Sequence, residues 1–145
     1  MSFHTKPFHR NKGYLVVAIA SAAIAIAGLT GCNPTYRTHG QSNIVGRYSG
    51  IELTADLPAT VSVASALAAA EEQFRDQGYS ILSNTGGELS GEVVGLAPRA
   101  NDYPRATVRV KAGDGVTRVT IWKSPINEEA LCRGILTRMC RKLGL

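Results

Sequence analysis

The chain reads as an α+β domain, an antiparallel sheet of four to five strands with two helices packed on one face, preceded by a separate N-terminal segment. Three observations predict this. Residues 105–111 and 116–123 alternate apolar and polar side chains across Asp114-Gly115, a strong hairpin signal. Val63, Leu67, Ala70 and Phe74, and again Leu131, Ile135, Met139 and Leu143, recur at three- and four-residue spacing, as on helices buried along one stripe. The elements run β-α-β-β-β-β-α, an order that segregates helices and strands into two layers instead of repeating βαβ units.

The N-terminal segment has its own logic. Lys6, Arg10 and Lys12 precede an apolar run over 14–29, and small residues then lead to a cysteine in Leu29-Thr30-Gly31-Cys32. A basic start, an apolar run and a small-residue site in that order make a secretory signal. The closing tetrapeptide resembles the lipobox of bacterial lipoproteins: an aliphatic residue, a small one, Gly or Ala, then the modified Cys. That resemblance implies diacylglyceryl transfer to the Cys32 sulfur and cleavage between Gly31 and Cys32. It also implies acylation of the new amino terminus by a fatty acid such as palmitate. Residues 1–31 are then a signal peptide, and the membrane is a partner through the lipid on Cys32. The competing reading is an uncleaved membrane helix, although the 16 residues of 14–29 fall short of the roughly 20 that span a bilayer. Among enterobacterial lipoproteins an Asp after the modified Cys tends to cause retention at the inner membrane, so for Asn33 the resemblance points to the outer membrane.

Removing residues 1–31 from 145 leaves 114, enough for one small domain. Three of the 16 Lys and Arg lie in the basic start and none of the 11 acidic residues do, so 13 cations face 11 acids in the remainder. The basicity therefore belongs to the targeting segment and is no nucleic-acid footprint. Of the three histidines only His39 survives, which argues against a Ser-His-Asp triad, a Cys-His pair or a multi-histidine metal site within one chain. No cofactor and no metal are expected. Cys132 and Cys140 fall eight residues apart on the last helix, about 12 Å along its axis, beyond a disulfide's reach of about 7 Å between Cα atoms. They read as small core hydrophobes, with intermolecular disulfides as the alternative.

Residues 32–45, the lipidated Cys and a polar stretch with turn residues and no apolar period, read as a flexible tether ahead of a domain over 46–145. A first strand follows at 47–55, where Ser49, Ile51, Leu53 and Ala55 share a face. Asp56-Leu57-Pro58 ends it and opens a helix that runs to about Gln77, with Gly78 as its stop. Strands at 79–83 and 88–96 flank a turn at 84–87. Gly87, Gly91 and Gly95 lie before and inside a strand, so they read as bulges or close packing and not as a phosphate loop, which would open a helix. In the 105–123 hairpin the register pairs Val110 with Val119 and Val108 with Ile121. The other face then carries Lys111 opposite Arg118, Arg109 opposite Thr120 and Thr107 opposite Trp122. Ser124 or Asn127 caps the last helix, whose first turn holds Glu128 and Glu129 and whose last turn holds Arg138, Arg141 and Lys142, matching the helix dipole.

The order of a strand ending in Leu-Pro, an Ala-rich helix ending in Gly-Tyr, a Gly-rich strand pair, a Val-rich hairpin and a closing helix resembles a family of small bacterial lipoproteins characterised only as a domain of unknown function. The segments that carry the likeness are 51–78, 90–94 and 108–122, continuing into the helix over 127–139. It implies a fold and brings no catalytic residues. The function expected is that of a non-catalytic envelope lipoprotein, a binding or structural module at the membrane surface. Its candidate partner-binding face is Arg105, Arg109, Lys111, Arg118 and Trp122, with nearby Glu52 or Glu92 as possible balancing charges, and its partner an envelope protein or an anionic envelope polymer. Two further functions are weighed: a carrier of a small apolar ligand between helices and sheet, at Ala64, Ala68 and Ala70, and a hydrolase using Glu92 and Asp102 as a carboxylate pair.

Overall fold

The computed structural model describes residues 33–145. The basic start, the apolar run, Gly31 and Cys32 lie outside the described residues, as do the cleavage and lipidation assigned to them. The compact unit begins at Pro34. Its elements are β1 (Thr35–His39), β2 (Ile44–Tyr48), β3 (Leu53–Pro58), α1 (Val63–Asp76), β4 (Ser80–Gly86), β5 (Ser90–Leu96), β6 (Arg105–Gly113), β7 (Val116–Ser124) and α2 (Glu129–Lys142). The strands form one antiparallel sheet in the order β1-β2-β3-β7-β6-β5-β4. The α+β class holds, but the sheet has seven strands and not four to five.

The two additional strands come from residues that read as tether and as one long strand. β1 and β2 pair from Thr35 with Tyr48 to His39 with Ile44, and the turn residues between them are the hairpin tip. There Gly40 and Asn43 take positive φ of 69° and 51°, the left-handed backbone that Gly and Asn tolerate best. The stretch lacked apolar alternation because β1 is an edge strand whose inward positions are polar, His39 among them. The 47–55 strand is divided by a tight turn closed by Ser49 N–H donating to the Glu52 carbonyl at 3.0 Å, with Gly50 at φ +89°. Leu53 and Ala55 face the core as expected, whereas Ile51 stands 77% exposed in that turn.

Pro58 does not open α1. It is the last residue of β3 and pairs with Val116; β2 pairs only Leu53 to Ala55, so its missing N–H costs no ladder bond on that side. The cap is Ser62, whose Oγ accepts from the Ser65 N–H at 3.1 Å, and Gly78 at φ +76° follows the helix end. β4 extends through Gly86, which moves the predicted 84–87 turn to 87–89. At α2 neither Ser124 nor Asn127 caps: the N-cap is Glu128, without a side-chain cap bond. Asn127 Oδ1 instead accepts from the Lys123 N–H at 2.9 Å and from Cys132 Sγ at 3.2 Å, tying β7 to the helix.

Both helices lie on the face that carries Leu53, Leu57, Val93, Val108, Val110, Val119 and Ile121, and with them close one core around Phe74, Ile135, Leu136 and Met139. Fully burying a side chain of this size contributes about 1.5–3 kcal/mol. The glycines of β4 and β5 let α1 approach. A Cβ on Gly91 would overlap Leu67 and stand 2.6 Å from the Thr85 carbonyl oxygen, and one on Gly95 would stand 3.0 Å from the Phe74 ring. No helix among the described residues is long and apolar enough to cross a membrane.

Candidate functional site

With both helices on one face, the pleat fixes what the other presents. Val108 and Val110 point into the core, so Arg105, Arg109 and Lys111 point away from it. The β6–β7 register is the one the sequence predicts: Lys111 opposite Arg118, Arg109 opposite Thr120, and Thr107 opposite Trp122. Arg105, Arg109, Lys111, Arg118 and Trp122 therefore share the uncovered face.

Each arginine there has a carboxylate or carbonyl partner. Arg109 donates to Glu92 Oε2 from Nη2 at 2.7 Å and from Nε at 3.0 Å. Arg118 forms a two-pronged pair with Asp56 of β3 at 2.7 and 3.0 Å. Arg105 Nε donates to the Asp102 carbonyl at 2.7 Å. Of the two expected balancing charges Glu92 serves, while Asp56 takes the place of Glu52. The Arg118 hydrogen bonds hold the Asp56 carboxyl below its ordinary range and push the guanidinium's own pKa up. They also relieve the like-charge pair, because Arg118 turns from Lys111 towards β3. Exposed pairs contribute about 0–1 kcal/mol, so they pattern the surface more than they stabilise the fold. Trp122 is half-buried with the Arg109 guanidinium 4.9 Å above its ring, so it is a partly shielded anchor.

The face extends further than the hairpin. Tyr36 and Val45 of the first hairpin lie on it, 61% and 52% exposed. Beside them a groove of about 730 Å³ runs across β2, β3 and β7, with Arg47, Glu52, Asp56 and Arg118 in its walls. Sequence reasoning missed Tyr36 and Val45 because they were assigned to the tether, and Asp56 because it was read as the end of a strand; for β2 the alternation of Ile44, Gly46 and Tyr48 against Val45 and Arg47 was the signal available.

A second cluster, on the helical side, was also missed. His39 is buried against α2 and Arg133 is buried beside it. Arg133 donates to the Gly46 carbonyl at 3.1 Å, to the Thr35 carbonyl at 3.1 Å, to Thr35 Oγ1 at 2.8 Å and to Glu129 Oε1 at 2.7 Å. Thr137 Oγ1 donates to the Arg133 carbonyl at 2.9 Å, and its remaining acceptor site lies 2.8 Å from His39 Nδ1. The network thus assigns the proton of a neutral His39 to Nδ1 and leaves Nε2 facing Arg133 Nη1 at 3.4 Å as an acceptor. Burial first, and the positive Arg133 and Arg37 next, lower the His39 pKa. Gly46 makes the room: a Cβ there would stand 2.9 Å from His39 Nε2. This is a structural clamp between the first hairpin and α2.

The remaining candidates are not brought together. Glu92 pairs with Arg109, whereas Asp102 stands beside Arg105, four residues further along β6. Four residues of strand span about 13 Å, beyond the roughly 5–9.5 Å of glycosidase carboxylate pairs. Ala64 and Ala68 line a shallow groove of about 480 Å³ with Gly86 and Gly87, open to solvent at the rim of α1, while Ala70 is buried in the core. Cys132 and Cys140 are buried free thiols, each pushed up to about 11 chiefly by burial; protonated and enclosed, they are poor nucleophiles. Among the described residues no three His, Cys, Asp or Glu side chains converge on a metal position. No family model matches the chain, and no curated protein matches it.

Proposed function

We propose that the chain is a lipid-anchored lipoprotein of the bacterial cell envelope, non-catalytic, which works as a binding module through the uncovered face of its sheet. The observation that carries this reading is that face itself: seven strands wide, with Tyr36, Val45 and Trp122 set among arginines. A solvated face is ordinary for an antiparallel sheet, but two large exposed apolar side chains beside a groove are the makings of an interface. Because Arg109 and Arg118 already hold carboxylates, the face offers both signs of charge. An envelope protein with a complementary pattern fits it better than an anionic polymer, which would have to displace Glu92 and Asp56. The lipobox resemblance supplies the anchor on Cys32, and Asn33 the outer-membrane address.

The test is photo-crosslinking in intact cells from Val45 and from Thr120, with Ala68 on the helical side as the control position. A discrete adduct from the first two, absent from Ala68 and lost when Arg109→Glu and Arg118→Glu are combined, is the expected result. Equal adducts from all three positions would sink it. A second reading, carriage of a small apolar ligand, rests on the groove at Ala64 and Ala68. Its size lies within the range of small-molecule sites. Saturable binding of an alkyl fluorophore, abolished by Ala68→Glu, would favour it.

A further inference from the structure

The ends of the sheet differ, and the difference bears on how the domain sits at a membrane. The register sets Thr35, Tyr48, Leu53, Ile121 and Val108 in one row across five strands. Below that row, on the side from which the chain enters β1 and the 77–79 link enters β4, three further connections leave the sheet: the 49–52 turn, the 97–104 segment ahead of β6, and the 125–128 link from β7 to α2. Each carries a large exposed apolar side chain, Ile51 at 77%, Tyr103 at 55% and Ile126 at 77%. At the opposite end the connections over 40–43 and 114–115 are polar, and Leu89 is the large exposed hydrophobic among the described residues there.

The chain outside the described residues ends at the same side. Cys32 precedes Thr35 by three residues, which reach at most about 11 Å even fully extended. Whatever conformation those residues take, an anchor on Cys32 holds this end of the sheet, and not the other, against the lipid. Two of the cations there are already paired, Arg105 with Asp102 and Lys123 with Glu128, at 3.8 and 2.7 Å. Among the described residues, the end of the sheet therefore presents no cluster of free positive charge that would call for an anionic partner.

We propose that this end is a bilayer-docking surface, with Ile51, Tyr103 and Ile126 entering the lipid interface and the aromatic ring of Tyr103 at headgroup depth. The inference rests on the lipoprotein reading, since the lipid on Cys32 supplies the nearness that three side chains alone would not. It commits to a lipid surface, not a protein, because of where the chain leaves the domain. The contact is apolar, so it is insensitive to anionic lipid and to salt. It also leaves the open sheet face standing across the membrane plane, free for a partner.

The test uses the full chain purified from bacterial membranes and inserted into the outer leaflet of preformed phosphatidylcholine vesicles. Single variants Ile51→Cys, Tyr103→Cys, Ile126→Cys, Leu89→Cys and Asp114→Cys carry an environment-sensitive fluorophore, the native thiols being buried or acylated. Vesicle flotation reports the anchor, and quenching by aqueous iodide reports the docking. The expected result is flotation of every variant, with quenching at 51, 103 and 126 about threefold or more below that at 89 and 114 and unchanged in about 0.5 M salt, where the Debye length is roughly 4 Å. Flotation with equal quenching at all five positions overturns the docking surface and leaves the anchor standing. Failure to float overturns the anchor, and the docking surface with it.

Discussion

His39 is the residue at which burial and charge meet. Its Nδ1–H is taken by Thr137, its Nε2 faces the Arg133 guanidinium, and Arg37 of the same strand adds positive charge. Burial first, and the positive Arg133 and Arg37 next, hold the folded pKa below the ordinary 6.5, and a second proton would set an N–H against an N–H beside a fixed cation. The folded state then binds fewer protons than the unfolded one in the window beneath 6.5, so stability is complete above that pH and falls as pH drops through it. Glu129 and Asp56, whose pKa values are also lowered, lose their contributions only in the more acidic carboxylate range. Between pH 7.5 and 5.5 the wild-type melting temperature should therefore fall, by an amount worth up to about 1 kcal/mol. His39→Gln should flatten that slope whatever it does to stability at pH 7.5. A slope equal to wild type in the variant would show that another group titrates.

At the scale of elements, the first hairpin is held by side chains as much as by its own ladder. Arg133 reaches from α2 to the carbonyls of Thr35 and Gly46, one on each strand, while the Gln41 N–H donates to the Leu145 carbonyl at 2.9 Å at the far end. Replacing Arg133 with Met keeps volume but removes the donor to the Thr35 and Gly46 carbonyls, while Glu129 keeps its hydrogen bond from Thr35 Oγ1. Losing the hydrogen bonds to those two carbonyls costs about 1–3 kcal/mol in chemical denaturation. Hydrogen exchange should quicken first at residues 35–48 while β6 and β7 stay protected; uniform quickening would mean that the hairpin is no separate unit. This clamp also marks where the sequence stopped being legible. The 105–123 register could be read because Val108, Val110, Val119 and Ile121 sort to one side and Asp114-Gly115 fixes the turn. The helices could be read from their apolar stripes, and with them the shared face of Arg109, Lys111, Arg118 and Trp122. β1 and β2 could not, because the residues that seat them are a histidine and a glycine whose partners lie more than 85 positions away. Nothing local distinguishes β1 from a polar linker, and the five-residue alternation of β2 is too short to announce a strand without it. Asp56 as the partner of Arg118 was hidden for a related reason: it follows from β3 pairing with β7, which no hairpin signal announces.

For the whole molecule, the consequence of those two strands is that a spacer of about 13 residues is absorbed into the sheet, and the domain starts at Pro34. A tethered domain would sample many orientations above a bilayer, whereas one that begins two residues after the anchor proposed on Cys32 would be confined to few. Inserting ten Gly and Ser residues between Asn33 and Pro34 separates these two contributions. The fold is contained in the described unit, so the melting temperature of the variant should stay within about 1 °C of wild type, as expected for a change outside the cooperative unit. The seating should not survive as well. A ten-residue Gly/Ser chain has a root-mean-square length of roughly 18 Å; it dilutes the loop tips from the lipid surface and lets the sheet turn away from it. Iodide quenching at Ile51→Cys and Ile126→Cys should rise towards the value at Asp114→Cys while flotation is unchanged. Were quenching to stay low with the spacer in place, the three apolar tips would hold the surface by their own affinity. The lipid proposed on Cys32 would then serve retention and not orientation.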